Sequence, residues 1–273
     1  LTYDPTLFLG TAPYYLPGRP AYSAQLESTL VRTLDLDGSG QLLDVGCGPG
    51  SLTIPLASHF AQSIGLDPDS GMLAEATKHA ERAGITSIRW IQARAEDLPE
   101  LQIDACRLVT FGQSFHWTDR QRVAEIVYDL LEPGGALALI VHNPDECQIP
   151  EGPGHPRIPH DAIKALIAAY LGPRRRAGQG FAPEHSERFA DLLAKTRFGR
   201  PTSIFCPGRP DLVQDVDGVM ANYFSTSFTA PHLFGERLSA FQAEFRALLH
   251  AHSPSGLFWD WPGDTEIILA RKP

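Results

Sequence analysis

Three short stretches carry residues that could do chemistry. An aspartate precedes alternate glycines in LLDVGCGPG (Asp44, Gly46, Gly48, Gly50), a second acid closes GLD at Asp67, and a histidine sits in GQSFHWTD at His116. A glycine loop lets a ligand lie against bare backbone. For a dinucleotide the loop reads G-x-G-x-x-G, with helix N-terminal amides pointed at the pyrophosphate. Here the third glycine is one place early, Ser51 stands where the fingerprint wants glycine, and Pro49 removes an N–H donor. A carboxylate at Asp44 would repel a diphosphate and favour a cation. Asp67 lies where an acid accepts from both ribose hydroxyls. These residues predict a cationic nucleoside without phosphate, although the same acid also serves nicotinamide enzymes, so an NAD(P)-dependent oxidoreductase is the rival reading. S-adenosylmethionine, with an ammonium, a sulfonium and no phosphate, has the required groups.

Positioning such residues takes a parallel sheet. From 41 to 143 short apolar runs alternate with segments of helical period, which predicts βαβ units and a doubly wound core. The predicted strands are 41–46, 62–67, 87–93, 105–112 and 135–143. Ser70 is the expected cap of the helix that Gly84 stops, and Thr118 with Gln121 forms a capping-box pattern before Val123. Pro20 is placed to start a helix with the stripe Leu26, Leu30, Val31 and Leu34. Beyond 143 a Pro- and Gly-rich connection leads to helices near 160–171 and 184–197, a strand at PTSIFC, two helices within 211–251, and a closing hairpin around Trp-Pro-Gly-Asp. The expected division is an N-terminal lid and first helix (1–40), a cofactor-binding core (41–143), a cap insertion (144–199) and a C-terminal part (200–273) that completes the sheet and the acceptor pocket.

Composition narrows the class. A formal charge of -9 argues against a nucleic-acid surface and suits a cationic small molecule. No apolar run is long enough to span a bilayer, and no secretory signal is legible, so the cytoplasm is the expected compartment. Cys47, Cys106, Cys147 and Cys206 lie far apart, as free thiols do, and neither they nor the ten histidines show metal-ligand spacing. The basic run Arg174 to Arg176, in GPRRRAGQG, reads as a solvated loop rather than an acidic-substrate clamp.

Taken together, LLDVGCGPG, GLDPDSGML, AEDLP and FHW resemble the class I S-adenosylmethionine-dependent methyltransferases, in their small-molecule, natural-product branch. The resemblance implies an α/β, doubly wound Rossmann-like sheet of seven strands in methyltransferase order, with an inserted helical cap and an N-terminal lid. By it, Asp44 and the glycines face the methionine part, Asp67 holds the ribose, and Met72 packs on adenine. Ala95 and Glu96 meet the adenine edge, with Phe111 beside the cofactor. Arg94 departs from the pattern, since such proteins often carry an acid there. The APYYLPGRPAY segment is similar to lids of that branch, which implies that Tyr14, Tyr15 and Arg19 close over the cofactor.

Methyl transfer from a sulfonium requires alignment and exclusion of water, and a base only when the acceptor arrives protonated. His116, just past the fourth strand, is the expected base, against the alternative of a structural ring on Trp117; His142 and Asn143 are lesser acceptor contacts. The lid and the acidic balance look similar to aminoglycoside N-methyltransferases of gentamicin-type pathways, which implies antibiotic biosynthesis and an amine or hydroxyl acceptor. A carboxyl methyltransferase resembling the trans-aconitate type fits the same residues. A cradle for a cation at Trp259, Asp260, Trp261 and Asp264 competes with a hairpin of buried tryptophans.

Overall fold

Short runs buried at successive positions, such as QLLDV with all five residues buried, build a sheet with two buried faces. The computed structural model describes residues 4–143, 149–178, 180–181 and 187–273. Its main sheet has seven strands, numbered here in chain order: β1 (Gln41–Val45), β2 (Gln62–Asp67), β3 (Ile88–Gln92), β4 (Cys106–Gly112), β5 (Leu131–Asn143), β6 (Thr202–Cys206) and β7 (Asp264–Arg271). Their spatial order is β3-β2-β1-β4-β5-β7-β6, with β7 antiparallel to both neighbours and the first five strands parallel. This is the seven-stranded, Rossmann-like order that the resemblance implied. Order reverses between β1 and β4, and a crevice opens at such a switch point beyond the strands' carboxyl ends.

Leu43, Val45, Val109, Phe111, Leu137 and Leu139 bury one face of the sheet, while Leu42, Leu108, Ala138 and Ile140 bury the other. On the first face lies α5 (Arg120–Leu130), which presents Val123, Ala124 and Val127, while α4 (Ser70–Arg82) packs against β2 and β3 with Met72, Ala76 and Ala80 buried. Helix α2 (Leu26–Leu34) covers the second with Leu26, Leu30 and Leu34, Val31 being partly buried. It starts at Leu26 rather than at Pro20. The expected caps each move by one residue: Asp69, not Ser70, accepts from Met72 N, and Asp119, not Thr118, accepts from Arg122 N. In both cases the aspartate beside the expected hydroxyl is the stronger acceptor. The Glu132-Pro133-Gly134-Gly135 turn is absorbed into β5 as a bulge, where the register with β4 jumps from Cys106–Leu131 to Leu108–Ala136.

A third core forms the cap, and it ignores the expected boundary at residue 200. Helix α6 (His160–Leu171) supplies Ile163, while α8 (Val216–Phe224) and α9 (Leu238–His252) supply Met220, Phe224, Phe241 and Phe245. The closing hairpin does not form. Leu257–Trp259 pairs instead with Val213–Asp215, and only β7 enters the main sheet. Trp259 and Trp261 are buried, as the hairpin reading required, and Asp260 is taken up by Arg157 and His160. The described residues also form the short α3 (Thr53–Leu56), a small antiparallel pairing of Arg176–Ala177 with Gly180–Phe181, and α7 (Phe189–Leu193), which is shorter than the helix expected over 184–197, since 187–188 and 194–197 are not helical. Cys47, Cys106 and Cys206 are free and buried, and Cys147 lies outside the described residues.

The N-terminal lid is α1 (Ala12–Gly18), a short helix with Pro17 in its last turn. It lies so close to α8 that a Cβ at Gly18 would overlap the backbone of Ala221 and Asn222. Backbone cannot rotate away as a side chain can, so Gly18→Ala is expected to push α1 off α8 and to cost roughly 1–3 kcal/mol of stability. Because Tyr15 and Arg19 travel with α1, the variant should also bind nucleoside ligand at least about tenfold more weakly. Thermal unfolding with and without ligand checks both; an unchanged ligand-induced shift would refute the lid assignment.

Candidate functional site

Two joined chambers lie over the carboxyl ends of β1, β2 and β4, with Tyr15, Gly46, Gly48, Gly112 and Gln113 in the walls of both. The narrower, about 90 Å³, is a slot between Asp67, Met72, Ala95, Glu96 and Phe111, closed by Leu7, Phe8 and Trp117. The wider, about 420 Å³, is bounded by Arg19, Tyr22, Asp44, Cys47, Gln113 and His142.

The glycine loop is bent by three left-handed residues, Gly46 (φ 65°), Gly48 (φ 53°) and Gly50 (φ 81°). Gly46 allows no side chain, because a Cβ would stand 2.5 Å from that of Ser114, whose hydroxyl donates to Val45 O. Its amides are already spent. Gly46 N and Cys47 N donate to Leu66 O, Gly48 N to Asp67 Oδ2 (2.8 Å) and Gly50 N to Cys47 O, while Pro49 has no N–H. A pyrophosphate would find no donor along 46–50, which decides against the dinucleotide reading.

The two acids are held in place by the fold. Asp44 is buried and accepts from the hydroxyls of Thr53 (2.6 Å) and Thr110 (2.7 Å); burial pushes its carboxyl up to about 6 against the pull of those hydrogen bonds. Asp67 accepts from Gly48 N and from Asp69 N (2.9 Å), and it too is pushed up to about 6, first by burial and then by the charges of Asp69 and Asp44. Each oxygen of Asp67 keeps a lone pair for a ligand donor. A ligand that brings positive charge or hydrogen-bond donors between two acids raised by desolvation would favour their ionised forms.

Glu96 stands in the slot wall and accepts from Asp119 N, so it also fixes the start of α5; Arg94 forks onto Asp97 and lines the same wall. Met72 and Phe111 are buried there, the latter edge-on to Phe115. Arg19 enters the wide chamber with its guanidinium over Tyr15 (5.0 Å), one nitrogen donating to Ser225 O (3.2 Å) and a buried Nε without a partner. That orphan donor fits a ligand carboxylate. Of the two lid tyrosines, Tyr15 lines both chambers, whereas Tyr14 turns away to pack its ring on Phe224 (5.2 Å).

His116 stands in neither wall. Its half-buried ring rests on Trp117 (4.8 Å), and it is Trp117 that reaches the slot, edge-on to Phe8. His116→Ala is therefore expected to cost about 1 kcal/mol of stability through lost ring packing, with ligand affinity kept; a loss of turnover of a hundredfold in a fully folded variant would restore it as the base. His142, which the sequence ranked lower, lines the wide chamber stacked on Tyr22 (5.2 Å), with Nδ1 buried and unpartnered and its basicity lowered by burial. Gln113 escaped the sequence reading. It is a non-glycine residue at φ 55° between the chambers, and its place after β4 was the available signal.

With this geometry in hand, residues 42–135 match the family described as methyltransferase domain. S-adenosylmethionine is the cofactor expected from that similarity, and the spent loop amides, the two carboxylates and the orphan Arg19 donor all fit it. A Saccharomyces cerevisiae protein named as an S-adenosylmethionine-dependent methyltransferase, CRG1, is 30% identical over 187 residues, 66% of this chain and 64% of its own length. Trans-aconitate 2-methyltransferase of Delftia acidovorans is 28% identical over 200 residues, 71% of this chain and 66% of its own. The chain thus spans just under two thirds of the length of these relatives. Among solved structures, a Bacillus halodurans protein named as a methyltransferase shares the fold with TM-score 0.51 at 16% identity, covering 92% of this chain and all of its own. No helix of the described residues is long and apolar enough to cross a membrane.

Proposed function

We propose that the protein is an S-adenosylmethionine-dependent methyltransferase acting on a nucleophilic oxygen or nitrogen of a small molecule. The observation that carries this reading is the glycine loop with every amide spent, set between two buried carboxylates. When bound, the cofactor supplies an electrophilic methyl group on a sulfonium. Asp67 would accept from its ribose hydroxyls and Arg19 would pair with its carboxylate. Met72, Phe111, Ala95 and Glu96 would enclose the adenine, and the field of Asp44 would favour the positive end. Lid residues Tyr15, Leu7 and Phe8 close the crevice and keep water from the methyl group.

The wide chamber, joined to the slot at Gly112 and Gln113, is where the acceptor would enter. An amine or hydroxyl acceptor, an aminoglycoside included, must lose a proton, and His142 is the neutral imidazole placed in the wall to take it. A carboxylate acceptor needs no base. Calorimetry with S-adenosylmethionine, S-adenosylhomocysteine and NADH tests the cofactor reading: binding of the first two and not the third is expected, and the reverse would overturn it. Incubation with methyl-labelled cofactor and a metabolite extract, followed by mass spectrometry, then identifies the acceptor.

A further inference from the structure

The charged groups that line the wide chamber are each engaged elsewhere than with an acceptor. Under the methyltransferase reading Arg19 takes the cofactor carboxylate, and Asp44, fixed by Thr53 and Thr110, faces its positive end. Glu27 is held by His59 (2.8 Å), and the His79 ring meets the carbonyl of Pro49 through Nδ1 (3.2 Å). The Cys47 thiol is pushed up by burial and stays neutral. Among the described residues of this wall, no charge is left over for an acceptor. Pro20, Ala21, Leu52, Pro55 and Leu56 supply apolar surface, and about 420 Å³ with a few convergent polar groups suits a small organic ligand. What the wall offers such a ligand is a neutral pair, Tyr22 and His142, stacked at 5.2 Å with 21° between their planes. Tyr22 Oη lies against the backbone of Gly112, 2.8 Å from where a Cβ there would stand, and Gly112 walls both chambers. His142 Nδ1 is buried without a partner, which costs free energy until a ligand supplies one. Burial and the charge of Arg19 keep this ring neutral against the pull of the Pro20 carbonyl. The other groups near it are the Asp44 carboxylate on β1 and, across the register on β7, the uncharged Thr265.

We propose that Tyr22 and His142 form the acceptor site for an uncharged aromatic hydroxyl, a phenol, with Tyr22 Oη donating to its oxygen and His142 Nδ1 taking its proton. This rests on the methyltransferase reading above and narrows its acceptor. An aliphatic amine enters as a cation beside Arg19, and a carboxylate brings a charge without a counter-ion between apolar walls. An uncharged hydroxyl does neither, and its proton gives Nδ1 the missing partner. Acidity then separates aromatic from aliphatic hydroxyls. Transfer to an imidazole below 6.5 is uphill by roughly four powers of ten from a phenol near 10, and by about nine from an alcohol as weakly acidic as water. A flat ring also continues the stack of Tyr22 on His142. In the transfer the O–H proton passes to Nδ1, and an oxygen lone pair forms the new O–CH3 bond as the S–CH3 bond breaks. The bonding pair stays on sulfur, the sulfonium becomes a neutral thioether, and the imidazolium returns its proton to water.

The test uses 2-naphthol as probe, with cyclohexanol, benzylamine and benzoate as controls and methyl-labelled cofactor. The wild-type protein should methylate 2-naphthol to an ether that survives mild alkali, and none of the controls at a comparable rate. His142→Gln should slow that reaction about a hundredfold or more. Its rate should then recover roughly tenfold per pH unit as the phenol ionises unaided. With 4-nitrophenol, already ionised at pH 8, the same variant should lose no more than about threefold against wild type. Tyr22→Phe keeps the ring stack and should raise KM for 2-naphthol about 3- to 10-fold. A loss in His142→Gln that is equal for the two phenols, or absent for both, overturns the base. If the wild-type protein binds S-adenosylmethionine but leaves 2-naphthol unmethylated, or prefers benzylamine or benzoate, the phenol site is overturned and the methyltransferase reading stands. Failure to bind S-adenosylmethionine at all would overturn both. The choice among wild-type acceptors decides the class even where a variant does not fold, and the unfolding temperature of each variant shows whether it has.

Discussion

Asp67→Ala is expected to weaken S-adenosylmethionine binding by roughly 10- to 150-fold, the effect of leaving charge-assisted hydrogen bonds unmade. The loss has two parts. Both carboxylate oxygens hold backbone amides, Gly48 N on one and Asp69 N on the other, so the side chain ties the glycine loop to the end of β2 as well as facing the slot. Removing it leaves two amides without partners and frees Gly48 to move. Asp67→Asn separates the parts, because its amide can accept from only one of the two N–H groups while presenting an NH2 to the other. It should therefore bind nearly as weakly as the alanine variant, whereas Asp67→Glu, which keeps the charge but displaces it by a methylene, should recover part of the affinity. Calorimetry on the three variants, each with its unfolding temperature, decides. Affinity within twofold of wild type in Asp67→Ala would remove the ribose assignment.

Much of this site was legible because its parts are local in sequence. The strand, the aspartate and the alternate glycines lie within residues 41–50, and their spacing spoke against a diphosphate while leaving a nicotinamide enzyme as the rival; the structure adds the reason against it, the consumption of each amide by Leu66 O, Asp67 or Cys47 O. The core strands β1, β2 and β4 came within a residue of their bounds, since each is apolar on both faces and ends at glycine or an acid. What depended on distant partners was not legible. Nothing in FHW says which of two adjacent rings turns inward; that is fixed by Phe8, more than a hundred residues away, against Trp117. Likewise Tyr14 and Tyr15 look equivalent until α8 offers Phe224 to the former. The run Arg174 to Arg176 reads as solvated, and Arg174 and Arg175 are indeed exposed; that Arg175 also lies over Phe228 depends on a turn about fifty residues further on. The closing hairpin failed for a similar reason: the pairing of Leu257–Trp259 is set by Val213–Asp215, outside the window a turn signal inspects.

Cofactor affinity should fall with acid, by about tenfold per carboxylate between pH 7.5 and pH 5. Asp44 and Asp67 are each raised from 3.8 to about 6, chiefly by burial. Near pH 5 both are mostly protonated, so a ligand that donates hydrogen bonds to Asp67 and brings positive charge toward Asp44 must first expel protons. Binding at pH 6 should accordingly release protons, measurable as a binding enthalpy that changes with the ionisation enthalpy of the buffer. Apoprotein stability moves the opposite way. Between about 4 and 6 the folded state holds more protons than the unfolded chain, so these two groups make stability fall as pH rises; the full cost stands above about 6 and vanishes below the unfolded value near 4. The exposed acids lowered by ion pairing, Asp129 on Arg197 and Asp211 on Arg209 among them, lose their contribution only at lower pH and leave that window to the buried pair. The apoprotein should thus unfold at a higher temperature at pH 5 than at pH 7.5, and saturating S-adenosylmethionine should erase or invert the difference. An affinity that does not change across this range would mean that neither carboxylate meets the ligand in its ionised form. The crevice would then have some other occupant than a cationic nucleoside.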